Sequence, residues 1–556
     1  MQRLRVAFLW HFHQPDYRRG KIALLPWVRL HATKDYAELP AIHREFPSLR
    51  LTYNLTPILV EQLQEYAAGQ LSDEHAVVAS LPEHHCAAQP EHVIGWGFIG
   101  HAPRMIEPFD CYRALWEDAQ SGKWKTWSER EWLDLQVWMR LAWLGTTTRE
   151  IRSIAKLLEK GSSFTADDRA VTIAIERELL SSVMVRLRGL AAAGLADISC
   201  SPYYHPILPL LCDTDIVATS DPDIERLEPR FAWPEDALEQ LRRARAYIEQ
   251  QMGISPRGIW PSEGSISDAA LAAIARSGAE WTASDQALLE RSIELPSTSW
   301  LYQPFVWESS GGQRVAVFFR DHALSDAIGF VYSSWDAHSA VRDFLERLDA
   351  IRTRILDEQG VAFLDRAVVT VILDGENCWE YYEGNGAPFL RALYGALTSD
   401  ERFETVLLGE CARRALDSAD MPVLRHIAPG SWIGGSFRIW IGDGEDRSAW
   451  SLLRQVRHAF EEQKHSLTDF QRDDAYRHIL AAEGSDWFWW FGPEHRAAFR
   501  SVFDELFREH LRMAWTAMGV DAPAELTRPI MSSESASSPW GAMHPATAPT
   551  RSRRGG

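Results

Sequence analysis

Seven short runs of Val, Ile and aromatic residues, each breaking off in a polar cluster, constrain this chain more than any other feature. In order they are "RVAFLW" before "HFHQPD", "LRLTY" before "NLTP", "ADISC" before "SPYYHP", "RGIW" before "PSEG", "AEWTA" before "SDQ", "VAVFF" before "RDHALSD" and "AVVTVIL" before "DGEN". Runs this short and this apolar mark parallel strands buried on both faces, and the carboxyl ends of such strands carry chemistry. Helical periods separate several of them, such as "DAALAAIARSG" after the fourth and "SAVRDFLERLDAIRTRILDEQ" before the seventh. Strand, helix, strand repetition means a parallel sheet, and seven strands fit a ring better than an open sheet. The expected fold is α/β, a (β/α)7 barrel of incomplete TIM type.

Residues 60–190 hold no clear strand but do hold "SEREWLDLQVWMRLAWLG" and "DDRAVTIAIERELLSSVMVRLRGLAAAG", both amphipathic at helical spacing. The reading is a catalytic barrel over 1–400 with a helical insertion at 60–190, then a helical domain over 401–525. That domain is interrupted by the Gly- and aromatic-rich "PGSWIGGSFRIWIGDGEDRSAW", read as a loop laid over a cleft. From residue 526 the chain is Ser-, Pro- and Ala-rich, with too little to bury, and a disordered tail is expected.

A formal net charge of −19 repels phosphate backbones and anionic lipids, which argues against nucleic-acid and membrane partners. No stretch approaches the roughly 20 apolar residues of a membrane span. The first apolar run is too short for a signal-peptide core and has no cleavage site after it. Six cysteines without a CxxC pair suit reduced thiols, so a cytoplasmic location is expected. The 24 tryptophans are many for one chain; most belong to packing, but indole faces also stack on sugar rings.

Glu263, in "IWPSEG", stands at the end of the fourth run, where side chains point into a barrel mouth and a carboxylate can attack a substrate. The competing reading is an acid near the N-terminus of the helix that follows. Asp374 ends the seventh run. In a ring of seven, strands four and seven stand nearly opposite, so the two carboxylates would face each other. Facing carboxyls about 5–5.5 Å apart perform retaining glycoside hydrolysis, one attacking the anomeric carbon and one protonating the leaving oxygen. Asp374 could instead serve an Asx-turn before Gly375, and Glu376 competes for the acid role.

His11 and His13 lie two apart at the end of the first run and share a face, so both could reach a sugar or ligate a metal. With Asp321, His322 and His205 as further donors, a metal-dependent hydrolase of the deacetylase or α-mannosidase type, built on His11, His13 and Asp321, is the rival reading. A glucan-binding protein without turnover is the third. Trp260, Trp379, Trp432 and Trp440 are candidate stacking platforms, core packing being the alternative for each. "EHHC" at 83–86 reads as a solvated loop and "SDWFWWFG" at 485–492 as packing of the helical domain.

Taken in order, "HFHQPD", "DISCSPYYHPILP", "WPSEG", "LDGEN" and "WIGDGEDRSAW" resemble the five motifs of glycoside hydrolase family 57, over residues 5 to 492. That family includes α-amylases, 4-α-glucanotransferases, branching enzymes and amylopullulanases. The resemblance implies a (β/α)7 barrel with a helical domain, no metal or other cofactor, retention of configuration, and an α-glucan or maltooligosaccharide substrate. It implies Glu263 as nucleophile, Asp374 as acid/base, and His11 and His13 as substrate contacts. "SPYYHPILP" and "FRDHALSD" lean toward the amylopullulanase-like branch. Asp197 stands where many relatives have Glu, which implies altered contacts near the catalytic subsite.

Overall fold

The computed structural model of the protein describes residues 2–493, 495 and 499–531. All seven runs form strands: β1 Leu4–Phe12, β2 Leu51–Leu55, β3 Ala196–Cys200, β4 Gly258–Ile259, β5 Trp281–Asp285, β6 Arg314–Arg320 and β7 Val368–Asp374. Each pairs in parallel with the next, and β7 pairs with β1 through His11 and Asp374, so the ring is closed. The expected (β/α)7 barrel is the observed one.

The interior explains the closure. Ala7, Leu9, Trp281, Ala283, Ala316, Phe318, Val368 and Ile372 project inward from alternate strand positions and fuse with Trp260 into one buried cluster. Trp281 crosses the lumen, and β4 accommodates it with Gly258, whose added Cβ would lie 2.0 Å from the indole. Below this layer the helix Leu408–Asp417 plugs the amino-terminal opening with Leu408, Cys411, Ala412 and Ala415. Above it the mouth stays polar.

The barrel sheet extends further along the chain than the apolar runs indicated. Phe403–Thr405 pairs with the start of β1, and Val423–Leu424 adds to the strand Phe305–Glu308, which is antiparallel to β6. Residues 403–405 and 423–424 therefore hydrogen-bond to the barrel sheet, although their sequence lies in the segment after residue 400 that reads as helical. These strands are two to three residues long, too short to show a period.

Ten helices between Pro57–Ala67 and Ala166–Ala192 occupy the stretch between β2 and β3. "EHHC" falls in one of them, Glu83–Ala88, with both histidines exposed. After the barrel come Gly444–Gln463, Asp469–Ala482, Ser485–Trp489 and Arg500–Ala517. Residues 526–531 pack onto the last of these through Leu526, which is buried. The rest of the expected tail lies outside the described residues. Among the described residues no helix is long and apolar enough to cross a membrane, and the six cysteines form no disulfide.

Candidate active site

Strand period alone sets the floor of the mouth. One step of two residues beyond the inward-facing core positions Leu9, Ala283, Phe318 and Ile372 come His11, Asp285, Arg320 and Asp374. His11 is in register with both Asn54 of β2 and Asp374 of β7, and Asn54 with Ser199 of β3. A polar layer thus sits directly on an apolar one.

Glu263 enters this layer from the turn after β4. Its backbone takes the left-handed conformation, φ 57°, which costs a non-glycine residue about 1–2 kcal/mol. His205 after β3 does the same at φ 58°. The Glu263 turn is held from outside: Trp432 donates its backbone N–H to the Glu263 carbonyl at 2.9 Å and its indole Nε1–H to Oε2 at 2.7 Å. The Trp432 ring meets Trp260 edge to face at 5.2 Å, and the Arg320 guanidinium lies 5.0 Å from its centre.

Asp374 accepts a hydrogen bond from Asn377 at 2.7 Å. Burial raises its pKa, with Asn377, His13 and Arg320 pulling the other way. Burial and then the charge of Asp374 push Glu263 up to about 8. The Asp374 charge acts on Glu263 across the mouth, and the Arg320 charge acts on Asp374 while its guanidinium lies over the Trp432 ring. Burial and the nearby Asp374 charge together keep Glu263 less acidic than an ordinary carboxylate.

The histidines form a chain. Burial lowers His11 to about 3 and His205 well below its ordinary value, so both are neutral. Ser201 donates to Asn54 Oδ1 at 2.8 Å and Asn54 donates to Ser199 at 3.0 Å, which fixes the amide. His11 then donates Nδ1–H to Asn54 Oδ1 at 2.7 Å and accepts at Nε2 from His205 Nε2–H at 3.2 Å, while His205 Nδ1 accepts from Ser485 at 3.1 Å. His13 stacks on His205 at 3.7 Å and donates Nε2–H to Asp486 at 2.9 Å. His13, His205 and Asp486 bring their ligand-type atoms within 4.8 Å of one another. A metal needs converging free lone pairs; here the rings are nearly parallel and both nitrogens of His205 are engaged.

Several sequence candidates lie elsewhere. Asp321 is buried, accepts from Tyr302 at 2.9 Å and caps the helix His322–Asp326, so it is not a ligand beside His11 and His13. Trp379 is wedged between Gly386 and Trp10, and Trp440 is fully buried in the helical region; neither offers a face to a sugar. Glu376 is buried against Tyr36 and the His13 backbone. Asp197 is two residues back along β3 from Ser199, toward the plugged end, where Oδ2 accepts from Gly409 N–H at 3.0 Å. Its shorter arm therefore meets the plug helix and not the catalytic subsite. His322 stays at the mouth, half exposed; Asp285 and Asp326 at 3.2 and 2.8 Å raise it to about 10.

The sequence reading missed Asn54, Asp285, Arg320 and Asp486. Asn54 and Arg320 open the polar clusters and Asp285 is second in its own, and for Asp285 and Arg320 counting two residues past the apolar core would have found them. Asp486 had no such signal.

A closed seven-stranded barrel with paired carboxylates at its carboxyl-terminal mouth defines the protein as one built for glycosidic-bond chemistry. The chain belongs to glycosyl hydrolase family 57, whose family model matches residues 7–424. Among solved structures it is similar to the family 57 branching enzyme of Thermococcus kodakaraensis, at 14% identity and a TM-score of 0.61, covering 92% of this chain and 90% of that one. It is also similar to the α-amylase AmyC of Thermotoga maritima, at 15% identity and a TM-score of 0.57, covering 93% of each chain. A third is the branching enzyme of Pyrococcus horikoshii, at 15% identity and 0.56, covering 98% and 100%. At these identities the likeness is one of fold. A search of curated proteins finds no match.

Proposed function

We propose that this enzyme cleaves or transfers α-1,4-linked glucans by retaining double displacement, with Glu263 as nucleophile and Asp374 as acid/base. The observation that carries the reading is the coupling of these two carboxyls from the ends of facing strands, β4 and β7. The solved relatives are an α-amylase and two branching enzymes, which supports an α-glucan substrate.

The first step requires one ionised carboxyl to attack and one protonated carboxyl to donate. Positive charge growing at the anomeric carbon draws the negative charge to Glu263, which the Trp432 indole already favours, and leaves the proton on Asp374 for the leaving oxygen. Asp374 then takes a proton from the incoming acceptor, and attack on the glycosyl-Glu263 ester releases the product. Water as acceptor gives hydrolysis and a glucan hydroxyl gives transfer. His13, whose Nδ1 has no partner, is the mouth histidine with a free ring nitrogen for a sugar hydroxyl, and Trp432 is the apolar wall; Trp260, expected as a stacking platform, is fully buried in the core cluster beneath it.

Incubation with maltoheptaose and with glycogen, resolving products by size and linkage, tests the reading. New α-glucan chain lengths or linkages support it; unchanged substrates in both incubations refute it.

A further inference from the structure

We propose that Asp221 is a positioning residue for Glu263: it fastens the turn that carries Trp432, and through that indole it holds the nucleophile's carboxylate in place. The inference rests on the role of Glu263 proposed above and deepens it.

Asp221 lies between β3 and β4, is 8% exposed, and spends both carboxylate oxygens on one short segment. Oδ1 accepts from the Ser436 hydroxyl, and Oδ2 accepts from the Phe437 N–H at 3.0 Å. Ser436 in turn accepts, at its carbonyl, the hydroxyl proton of Ser431 at 2.6 Å, and Ser431 Oγ accepts from Ile433 N–H at 3.1 Å. Residues 431–436 are thereby closed on themselves, reversing through Gly434 and Gly435 at φ 61° and 71°. Trp432 stands at the near edge of this turn, bonded to Glu263 by backbone and indole.

The turn thus has two side-chain anchors, Glu263 inside and Asp221 outside, and its entry is also held by paired backbone bonds between Gly430 and Ile266 at 2.9 and 3.1 Å. The remaining side-chain ties are weaker. Arg438 pairs with Asp223 at 2.5 Å and Arg447 with Glu225 at 3.1 Å, but these acids are largely exposed, and pairs of that kind contribute little. Arg291 reaches the Gly435 carbonyl at 2.5 Å. A buried carboxylate with two donors is the stronger restraint. The charged groups facing Glu263 are Asp374 on β7, Asp486 on the helix Ser485–Trp489, and Arg320 on β6 beyond the indole ring. None of these is removed with Asp221.

The test compares Asp221→Ala, Trp432→Phe, their combination and Asp223→Ala in the full chain. The first readout is the pH profile of kcat and kcat/KM on maltoheptaose. Asp221→Ala is expected to lower kcat roughly 10-fold or more, the scale of one charge-assisted hydrogen bond, and to move the limb governed by Glu263 upward, as Trp432→Phe does. The double variant is expected to be no worse than the more damaged single one, Asp221→Asn to recover part of the loss, and Asp223→Ala to match wild type. The second readout needs no turnover: the ¹⁵N-indole resonance of Trp432, assigned by its loss in Trp432→Phe, follows pH in wild type and moves to a solvent-exposed position in Asp221→Ala. An unmoved indole resonance, or losses that multiply in the double variant, overturns the proposal. If wild type turns over no glucan, the proposed activity fails while the indole resonance still decides the role of Asp221. Should Asp221→Ala not fold, Ser436→Ala removes one of the two donors and is held to the same indole criterion.

Discussion

His13, at the carboxyl end of β1, donates Nε2–H to Asp486 at 2.9 Å, so the first strand of the barrel and a helix near the far end of the chain meet in one ion-pair geometry. The contact places the charge of Asp486 near Glu263, where it adds to the forces that raise the carboxyl.

Replacing Asp486 by Asn separates these two effects. The amide keeps an acceptor for His13 but removes the charge, so Glu263 ionises more readily and the acid limb of kcat/KM shifts to lower pH. Asp486→Ala removes the acceptor as well and is expected to cost kcat/KM about 10–100-fold, the worth of a hydrogen bond to a charged group. An acid limb that stays in place in both variants would contradict the assignment of Asp486 to the site.

Glu263→Ala and Asp374→Ala should be inactive in distinguishable ways. Loss of the acid/base costs about 10²–10⁴-fold on natural glucans, and much less on a glucosyl fluoride, whose leaving group needs little protonation. Azide added to Asp374→Ala attacks the glycosyl ester and gives an α-azide, whereas azide added to Glu263→Ala takes the nucleophile's place and gives a β-azide. The configuration of the azide product, read by NMR, assigns each role. Interchanged products would reverse the assignment.

Burial of Glu263 also has a stability consequence with a definite sign. Its folded pKa, near 8, lies above the unfolded value of 4.5, so the native state binds the extra proton between those pH values. Stability from this group is full below pH 4.5 and falls as pH rises toward 8, by about 1.4 kcal/mol per pH unit. Glu263→Gln cannot ionise and can still accept from Trp432. Its melting temperature relative to wild type is therefore expected to climb from pH 5 to pH 8; a difference that stays flat across that range would refute the buried, coupled state of the carboxyl.

What could be read from the sequence followed strand period. The apolar runs that became β1–β7 are buried on both faces, so they stood out without neighbours, and the polar residue after each run is delivered to the mouth by alternation alone. Asp374 was legible for that reason; Glu263 was legible from the end of its run, but a left-handed turn rather than alternation brings it into the mouth. The indoles were not: Trp379 and Trp440 have the same local character as Trp432, and only the distant packing partners Trp10, Gly386 and Trp489 distinguish core from site. Asp486 was hidden inside "SDWFWWFG" because its neighbours Trp487 and Phe488 do pack the helical region. Contacts such as His13 to Asp486, spanning most of the chain, leave no period to read.

Asp197 provides a last separation, between the two ends of the barrel. Burial raises its pKa to about 6, against the Gly409 N–H, which favours the charged form. Asp197→Ala strands that buried N–H at the start of the plug helix and is expected to destabilise the protein by about 1–3 kcal/mol. Asp197→Asn keeps the acceptor and abolishes the buried charge, so at pH 7 it is expected to stabilise, by up to about 3 kcal/mol. Asp197 is in register with Thr52 and Leu9, two residues back from the layer of His11 and Asp374, so kcat on maltoheptaose should match wild type in each variant. Denaturant unfolding at pH 7 gives the first comparison and steady-state kinetics the second; a loss of kcat in Asp197→Asn without a loss of stability would return Asp197 to the catalytic end.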